Sequence, residues 1–539
     1  MYFFARVEVN TRLAPMGQEK TAECQPLRPL GSAAELSQLT PGFSQRYNDS
    51  WRILPNLGTQ TKVSSMARGW GYGLLVLLAC CGCAGSGPAD PRQNPTTQKD
   101  EEVVPLVLVV LNDPRLADAI RREWQARSKA QLEVKSVVTP GKMPPTAPQG
   151  DLVVFAVDRL GELAEQKWIV PLPEATQRGL ESEREDLSAF AMRQECSWGN
   201  TLWGMPLGST SYTLYARADL LRDQGLSLPT TWEEYGAVVR RLRASAWGKE
   251  AGHVAAAEPT SSAYGGKFLL ARAASYLRHR GNYSTYFDFQ SMEPLITSPP
   301  MVKALEELVA ASDAENFNEA QQTPGACLDR FWRGEAALAI VFPGHPEKKE
   351  EAKISPEQVA ISELPGSLQV FNHSDQEWEK RGAEEQQRVP LFAAAGRMGS
   401  LLAASPNKVA AARALQLITS AEWSLDLSPE SAATGPFRRS HLKEMNRWVE
   451  PQADVRLRRD LADLIAARFD VRLSLSPPRL PGGSLYLESL DRAVLACLTK
   501  SLKPEEALAK AAEEWRKITA DLGLAAQKGA YRRSLGLQE

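Results

Sequence analysis

The stretch from Val104 to Leu172 constrains the fold more than any other. It opens with VPLVLVVL (Val104–Leu111), a continuous run rich in β-branched residues, of the kind buried in a parallel sheet. DPRLADAIRREWQARS follows with helical spacing, and QLEVKSVV (Gln131–Val138) then alternates as a strand does. GDLVVFAVDRLGELAEQKWIVPL (Gly150–Leu172) repeats strand and then helix. Strands that alternate with helices predict an α/β chain with a largely parallel sheet.

The texture changes near Trp203. A Pro/Gly loop leads into a strand (Tyr212–Ala216), a helix, and then PTTWEE, where Thr231 caps a helix and Glu234 stands at the capping-box spacing. Helical stretches follow at Gly265–Arg280 and Met301–Ser312, and AALAIVF (Ala336–Phe342) reads as a strand. His345–Arg388, rich in Lys, Glu and Gln, is expected to include surface loops. LYLESLDRAVLACL and KPEEALAKAAEEWRKI close the chain as amphipathic helices. There is no internal repeat of solenoid length.

The portion from Val103 onward is long enough for two lobes rather than one small core. A formal net charge of −2 leaves no basic excess to neutralise phosphates, which argues against a nucleic-acid binder. The densest basic runs, Val238–Ala244 and Asp454–Leu461, read as solvated helix faces. Outside residues 66–87 and the N-terminal stretch only Cys196, Cys327 and Cys497 remain, without metal-type spacing, and the five histidines are scattered. No HExxH, GxSxG or Walker motif occurs. These counts predict no metal, no cofactor and no catalysis.

Residues 66–87, MARGWGYGLLVLLACCGCAGSG, have the three zones of a secretory signal: a start with a charge at Arg68, a short apolar core, then small residues and cysteines. The apolar run is about ten residues, against about twenty needed to span a bilayer. Leu77-Leu78-Ala79-Cys80 resembles a bacterial lipobox, with Cys80 as the acylated residue and Cys83 as runner-up. The polar segment from Ala84 to Glu102 suits a tether. Residues 1–65 are then expected to be an upstream extension, disordered or arising from a gene start placed too early, with translation beginning at Met66. A buried helix or an uncleaved short anchor is the competing reading of the apolar run.

Five stretches in order resemble the extracytoplasmic solute-binding proteins of ABC importers, in the maltose/oligosaccharide branch. They are DLVVFAVDRLGELAEQKWIVPL, MPLGSTSYTLYARADLL with LPTTWEEY, FWRGEAALAIVFPG, LLAASPNKVAAARALQLITS and KPEEALAKAAEEW. The resemblance runs from about Val104 to Trp515 and fits the lipobox, since such receptors are commonly tethered lipoproteins. It implies a two-lobed periplasmic-binding-protein-like fold (type II), with ligand held in the cleft between lobes and closure on binding. The implied domains are a signal peptide at 66–80, a tether at 81–102, an N-terminal lobe of 103–209 plus 329–399, and a C-terminal lobe of 210–328 plus 400–539. Crossings are expected near Gly208–Tyr212, Asp329 and Arg397–Ser400.

The resemblance also selects ligand-binding candidates. Asp158 and Arg159 fall on the family's acidic–basic pair just past a strand end; a local surface ion pair is the alternative. Phe155 stands where the branch often has a larger aromatic, or is simply core. Thr210 replaces the glutamate that maltose-type receptors carry at the crossing, and Tyr212 sits beside it. Tyr264 resembles a loop aromatic, Arg397 lies where the family places cleft-lining backbone, and Tyr486 precedes the last helix pair with a helical spacing that also suits core. Trp203 is read as structural. The family's Gly-Pro-Trp is absent, since Val341-Phe342-Pro343-Gly344 has no tryptophan, so maltose itself is disfavoured within the carbohydrate class.

The implied protein is a monomeric receptor, lipid-anchored outside the cytoplasm, that passes a small solute, a sugar or oligosaccharide, to ABC permease subunits. Two other readings compete. A sensor or scaffold would keep the fold without a transporter. A secreted polysaccharide-acting enzyme would need two carboxylates flanking a cleft, and no such pair stands out.

Overall fold

The computed structural model describes residues 104–139, 143–312, 318–344 and 352–537. The expectations for the upstream extension, the signal, Cys80 and the tether lie outside the described residues.

In chain order the strands are β1 (Leu106–Leu111), β2 (Leu132–Val137), β3 (Leu152–Ala156), β4 (Ile169–Val170), β5 (Ser197–Trp198), β6 (Thr201–Leu202), β7 (Gly204–Thr210), β8 (Thr213–Arg217), β9 (Val254–Ala257), β10 (Ala336–Val341), β11 (Val359–Glu363), β12 (Gln369–Asn372), β13 (Glu377–Lys380) and β14 (Ala395–Leu402). The first sheet runs β2-β1-β3-β14-β4, with β7 also paired to β14. Its β1, β2 and β3 are parallel, as the opening alternation predicts, and β14 runs antiparallel to β3. The second sheet runs β11-β8-β10-β9.

Local chemistry sets the element ends. Asp113 caps the helix Pro114–Arg127 by accepting from the Leu116 N–H, and proline at the first turn lacks a donor the helix would leave orphaned. Thr231 and Glu234 form the full capping box that opens Trp232–Ala244. One apolar cluster runs from Val109, Val153 and Phe155 of the first sheet through Tyr212 to Leu214 and Ile340 of the second. The helices Gly265–Leu277, Gly483–Leu498 and Pro504–Asp521 add Phe268, Tyr486, Leu490 and Trp515 to the same cluster.

Strand pairing revises the expected lobe boundaries. β10 falls in the stretch expected in the first lobe, 329–399, but it lies parallel to β9 and antiparallel to β8 in the second sheet. β14 does not end a lobe at residue 399: the whole strand belongs to the first sheet. The helix Lys408–Ile418 packs with it, placing Leu415 against Gly399, and Trp423 of the helix Ala421–Leu427 meets Trp124 edge-on. Asp329 is not a crossing; it is buried in the helix Pro324–Trp332, next to β10. The chain returns through residues 364–394 and leaves again through 428–454. His345–Arg388 also holds more than loops, since β11 completes the second sheet and β12 and β13 form a hairpin. Chain order alone does not reveal such pairings, because a strand's partners are set by tertiary packing.

Candidate functional site

The two sheets are joined most tightly at Ser211–Tyr212, the two residues between β7 and β8. Gly208, just upstream, has φ +107, and a Cβ there would stand 2.4 Å from the Gly435 carbonyl oxygen. Glycine is therefore required both for the backbone conformation and for the close approach of the 428–454 segment. Arg468, on the helix Val455–Phe469, donates to Ser211 Oγ at 2.5 Å, to the Tyr212 carbonyl at 3.2 Å and to Thr213 Oγ1 at 3.2 Å. Burial lowers its pKa to about 10, partly offset by Glu363 and Tyr215.

Glu195 ties the first connection to the second. Its carboxylate accepts from Ser209 Oγ at 2.9 Å and from the Ala393 N–H at 3.3 Å, while Arg479 donates to its backbone carbonyl at 3.0 Å. The side chain is almost wholly buried, and burial pushes its pKa up to about 7 against the pull of Ser209, Ala393 and Arg479.

The polar centre lies at the end of β3. Asp158 sits in the turn Val157–Arg159, its side chain 11% exposed, with Lys267 Nζ donating to Oδ2 at 2.7 Å. The same ammonium donates to the Ala394 carbonyl at 2.8 Å. Asp158 Oδ1 has no hydrogen-bond partner. Burial pushes the Asp158 pKa up, but Lys267 and Arg159 outweigh it and hold the carboxyl below its usual value. Arg159 lies 3.9 Å from Asp158 Oδ1 and donates to Glu162 at 3.2 Å.

An aromatic group packs on the start of the Lys267 helix from the second sheet. The Tyr212 ring stacks on Phe342 at 4.5 Å and meets Phe268, the neighbour of Lys267, edge-on at 5.6 Å. Tyr264, at the start of the Lys267 helix, meets Phe342 edge-on at 6.4 Å. The Tyr212 hydroxyl is buried without a hydrogen-bond partner.

The start of the Lys267 helix thus links four of the expected residues: Lys267 holds Asp158, with Arg159 beside it, while Phe268 meets Tyr212 and Tyr264 stands at the helix start. Thr210, paired with Ala395, lines a cavity of about 40 Å³ together with Ser209, Ser211 and Phe437. A second cavity, of about 10 Å³, lies beside Tyr212 and Arg468. Arg397 is committed to Asp113 at 2.9 Å and to the Asn112 carbonyl at 3.3 Å. Phe155 and Tyr486 are placed differently, both fully enclosed in apolar packing. Phe155 lies in a strand buried on both faces, and the Tyr486 hydroxyl bonds Thr519 and Gln527 within the C-terminal helices.

Sequence reasoning missed Lys267, Phe342, Glu195 and Arg468. Lys267 carried one usable signal: it stands in the first turn of a helix, where the macrodipole disfavours a cation unless a partner holds it. Phe342 follows a strand directly, in a segment read only for its missing tryptophan. The remaining two depend on contacts between distant segments. Among the described residues no His, Cys, Asp and Glu cluster suits a metal ion, and no helix is long and apolar enough to cross a membrane. Cys196, Cys327 and Cys497 are buried, and no disulfide joins them.

Residues 142–424 match the family of bacterial extracellular solute-binding proteins, over more than half of the chain. The chain belongs to that family. It is a family of binding proteins, and its two-lobed fold recurs in solved structures. An ABC transporter solute-binding protein from Agrobacterium radiobacter K84, in complex with ribitol, aligns with a TM-score of 0.55 at 18% identity, covering 77% of this chain and 98% of that one. Maltose-bound MalE3 of T. maritima aligns at 0.53 and 18%, covering 76% and 100%. A solute-binding protein from Agrobacterium vitis S4 with bound D-mannitol aligns at 0.51 and 14%, covering 78% and 99%. At these identities the likeness speaks for the fold. No curated protein matches the chain.

Proposed function

We propose that this solute-binding protein captures a sugar, oligosaccharide or polyol between its two lobes and delivers it to the permease subunits of an ABC importer. The observation that carries the reading is the pairing of Asp158, at the end of β3, with Lys267 on the helix whose next residue, Phe268, packs on the Tyr212–Phe342 stack at the crossing. Sugar rings and polyols present hydroxyls for carboxylates and arginine forks, and sugar rings also present an apolar face for aromatic rings. The ligands of the aligned structures, ribitol, maltose and D-mannitol, belong to the same chemical class. The lobes of this reading are the first sheet with residues 403–427, and the second sheet with the helices between and after its strands.

The proposal includes export by a signal at 66–80, acylation at Cys80, a tether at 81–102, and work outside the cytoplasm as a monomer with no nucleic-acid partner. A sensor or scaffold role is favoured instead by two facts: Lys267 already holds Asp158, and the two cavities at the crossing have room for water rather than a sugar. Thermal unfolding of the full chain against ribitol, D-mannitol, maltose and maltotetraose, with amino acids as controls, separates the readings. A ligand that binds only the folded form adds about 2.7 kcal/mol at a hundredfold excess over Kd. A shift confined to one hydroxyl-rich class supports transport. No shift from any of the four favours the sensor.

A further inference from the structure

Lys267 and its acceptors belong to different sheets' surroundings. Asp158 and Ala394 stand at the ends of β3 and β14 in the first sheet, whereas Lys267 belongs to the helix Gly265–Leu277 that follows β9 of the second sheet. The helix start is fixed on its own side. Asp491 accepts from the Gly266 N–H at 2.7 Å and the Ala263 N–H at 3.1 Å, and a Cβ on Gly266 would stand 2.8 Å from the Leu487 carbonyl oxygen. The lysine is thus a short arm on a rigid base, spanning two segments that its own lobe does not contain. It satisfies one carboxylate oxygen and one main-chain carbonyl, both acceptors of the kind that solute hydroxyls would use.

We infer that Lys267 is a resident occupant of the ligand site: its ammonium fills the place of a solute hydroxyl on Asp158, draws the two lobes together when the site is empty, and must be displaced when solute binds. The inference rests on the solute-receptor reading above. Displacement lowers the apparent affinity by the fraction of molecules in which the ammonium has left, so removal of the arm raises it. Asp158 Oδ1 is buried and has no hydrogen-bond partner, so a solute hydroxyl reaches it only once the ammonium has left Oδ2.

The test compares the full chain with Lys267→Met and Lys267→Gln, and with Arg533→Met as a control. Arg533 pairs with Glu165 at 2.7 Å, away from Asp158. Titration with ribitol, D-mannitol, maltose and maltotetraose is read beside small-angle scattering of the empty proteins. Expected are tighter binding of the active solute by about tenfold or more in the Lys267 variants, a larger radius of gyration of the empty variants than of wild type, and unchanged affinity in Arg533→Met. Weaker binding in both Lys267 variants overturns the inference, because the lysine then serves the solute directly. An unchanged radius of gyration overturns it too. If none of these solutes binds any of the proteins, the hydroxyl-ligand reading fails and scattering alone decides whether Lys267 draws the lobes together. Lys267→Gln keeps a polar side chain and decides the matter if Lys267→Met does not fold.

Discussion

Replacing Glu195 by Gln should make the protein more stable at neutral and alkaline pH. The carboxyl is buried where three chain segments meet, and burial raises its pKa from 4.5 to about 7. A carboxyl with a raised folded pKa holds its proton in the native state at pH values where the unfolded chain has lost it. Its native form is therefore undisturbed below pH 4.5, and stability falls as pH rises from there through about 7. At about 1.4 kcal/mol for each tenfold change in proton affinity, the full cost above pH 8 is about 3 kcal/mol. Glutamine has the shape of the protonated acid: its carbonyl can accept from the Ala393 N–H and its amide can donate to Ser209 Oγ. Urea unfolding of wild type and Glu195→Gln at pH 5 and pH 8.5 measures the difference. The variant should gain little at the lower pH and about 2–3 kcal/mol at the higher. Other raised carboxyls, such as Glu450, titrate in both proteins and cancel in the comparison. A variant that is less stable at pH 8.5 would refute the reasoning, because the ionised carboxylate would then be holding the connections together.

Three further substitutions check the packing and the site. Tyr212→Phe removes a buried hydroxyl without a partner, so the empty protein should gain about 1 kcal/mol by thermal unfolding, while affinity for the solute falls if that hydroxyl serves it. Phe155→Ala should cost about 3–5 kcal/mol in chemical unfolding and leave affinity unchanged, since the ring is enclosed in the first sheet. Arg272→Met should cost about 3–5 kcal/mol by the same measurement, because it strands the Glu258 carboxylate that Arg272 pairs at 2.5 Å while stacked over Trp232 at 4.1 Å.

The elements were largely legible in the sequence because their signals are local. VPLVLVVL, QLEVKSVV and DLVVFAV carry the periodicity of β1, β2 and β3, and PTTWEE carries its own helix start. The lobes were less legible. β10 reads the same whether its partners are β8 and β9 or the strands of the first sheet, and β14 returns to the first sheet only after 31 residues, 364–394, that include a hairpin. Within the candidate site, Asp158 and Tyr212 were reachable because each stands at a strand end with recognisable flanks. Phe155 was misleading for the opposite reason: in a strand buried on both faces, an aromatic next to a site residue has no open side. Glu195 shows no motif at all, and Lys267 shows only a cation in a helix's first turn. Their importance comes from partners 198 and 109 positions away, which only the folded chain brings within hydrogen-bond distance.

The central claim is that a solute binds at Asp158 between the two sheets. Isothermal titration of the full chain with the solute that stabilises it most, repeated on Asp158→Ala, tests this directly. The account expects one site per chain in the wild type and a loss of affinity of about a hundredfold or more in a variant whose folded state is intact, as befits a charged hydrogen-bonding group removed from a buried contact. Equal affinity in the two proteins would contradict it, and would move the binding site away from the end of β3.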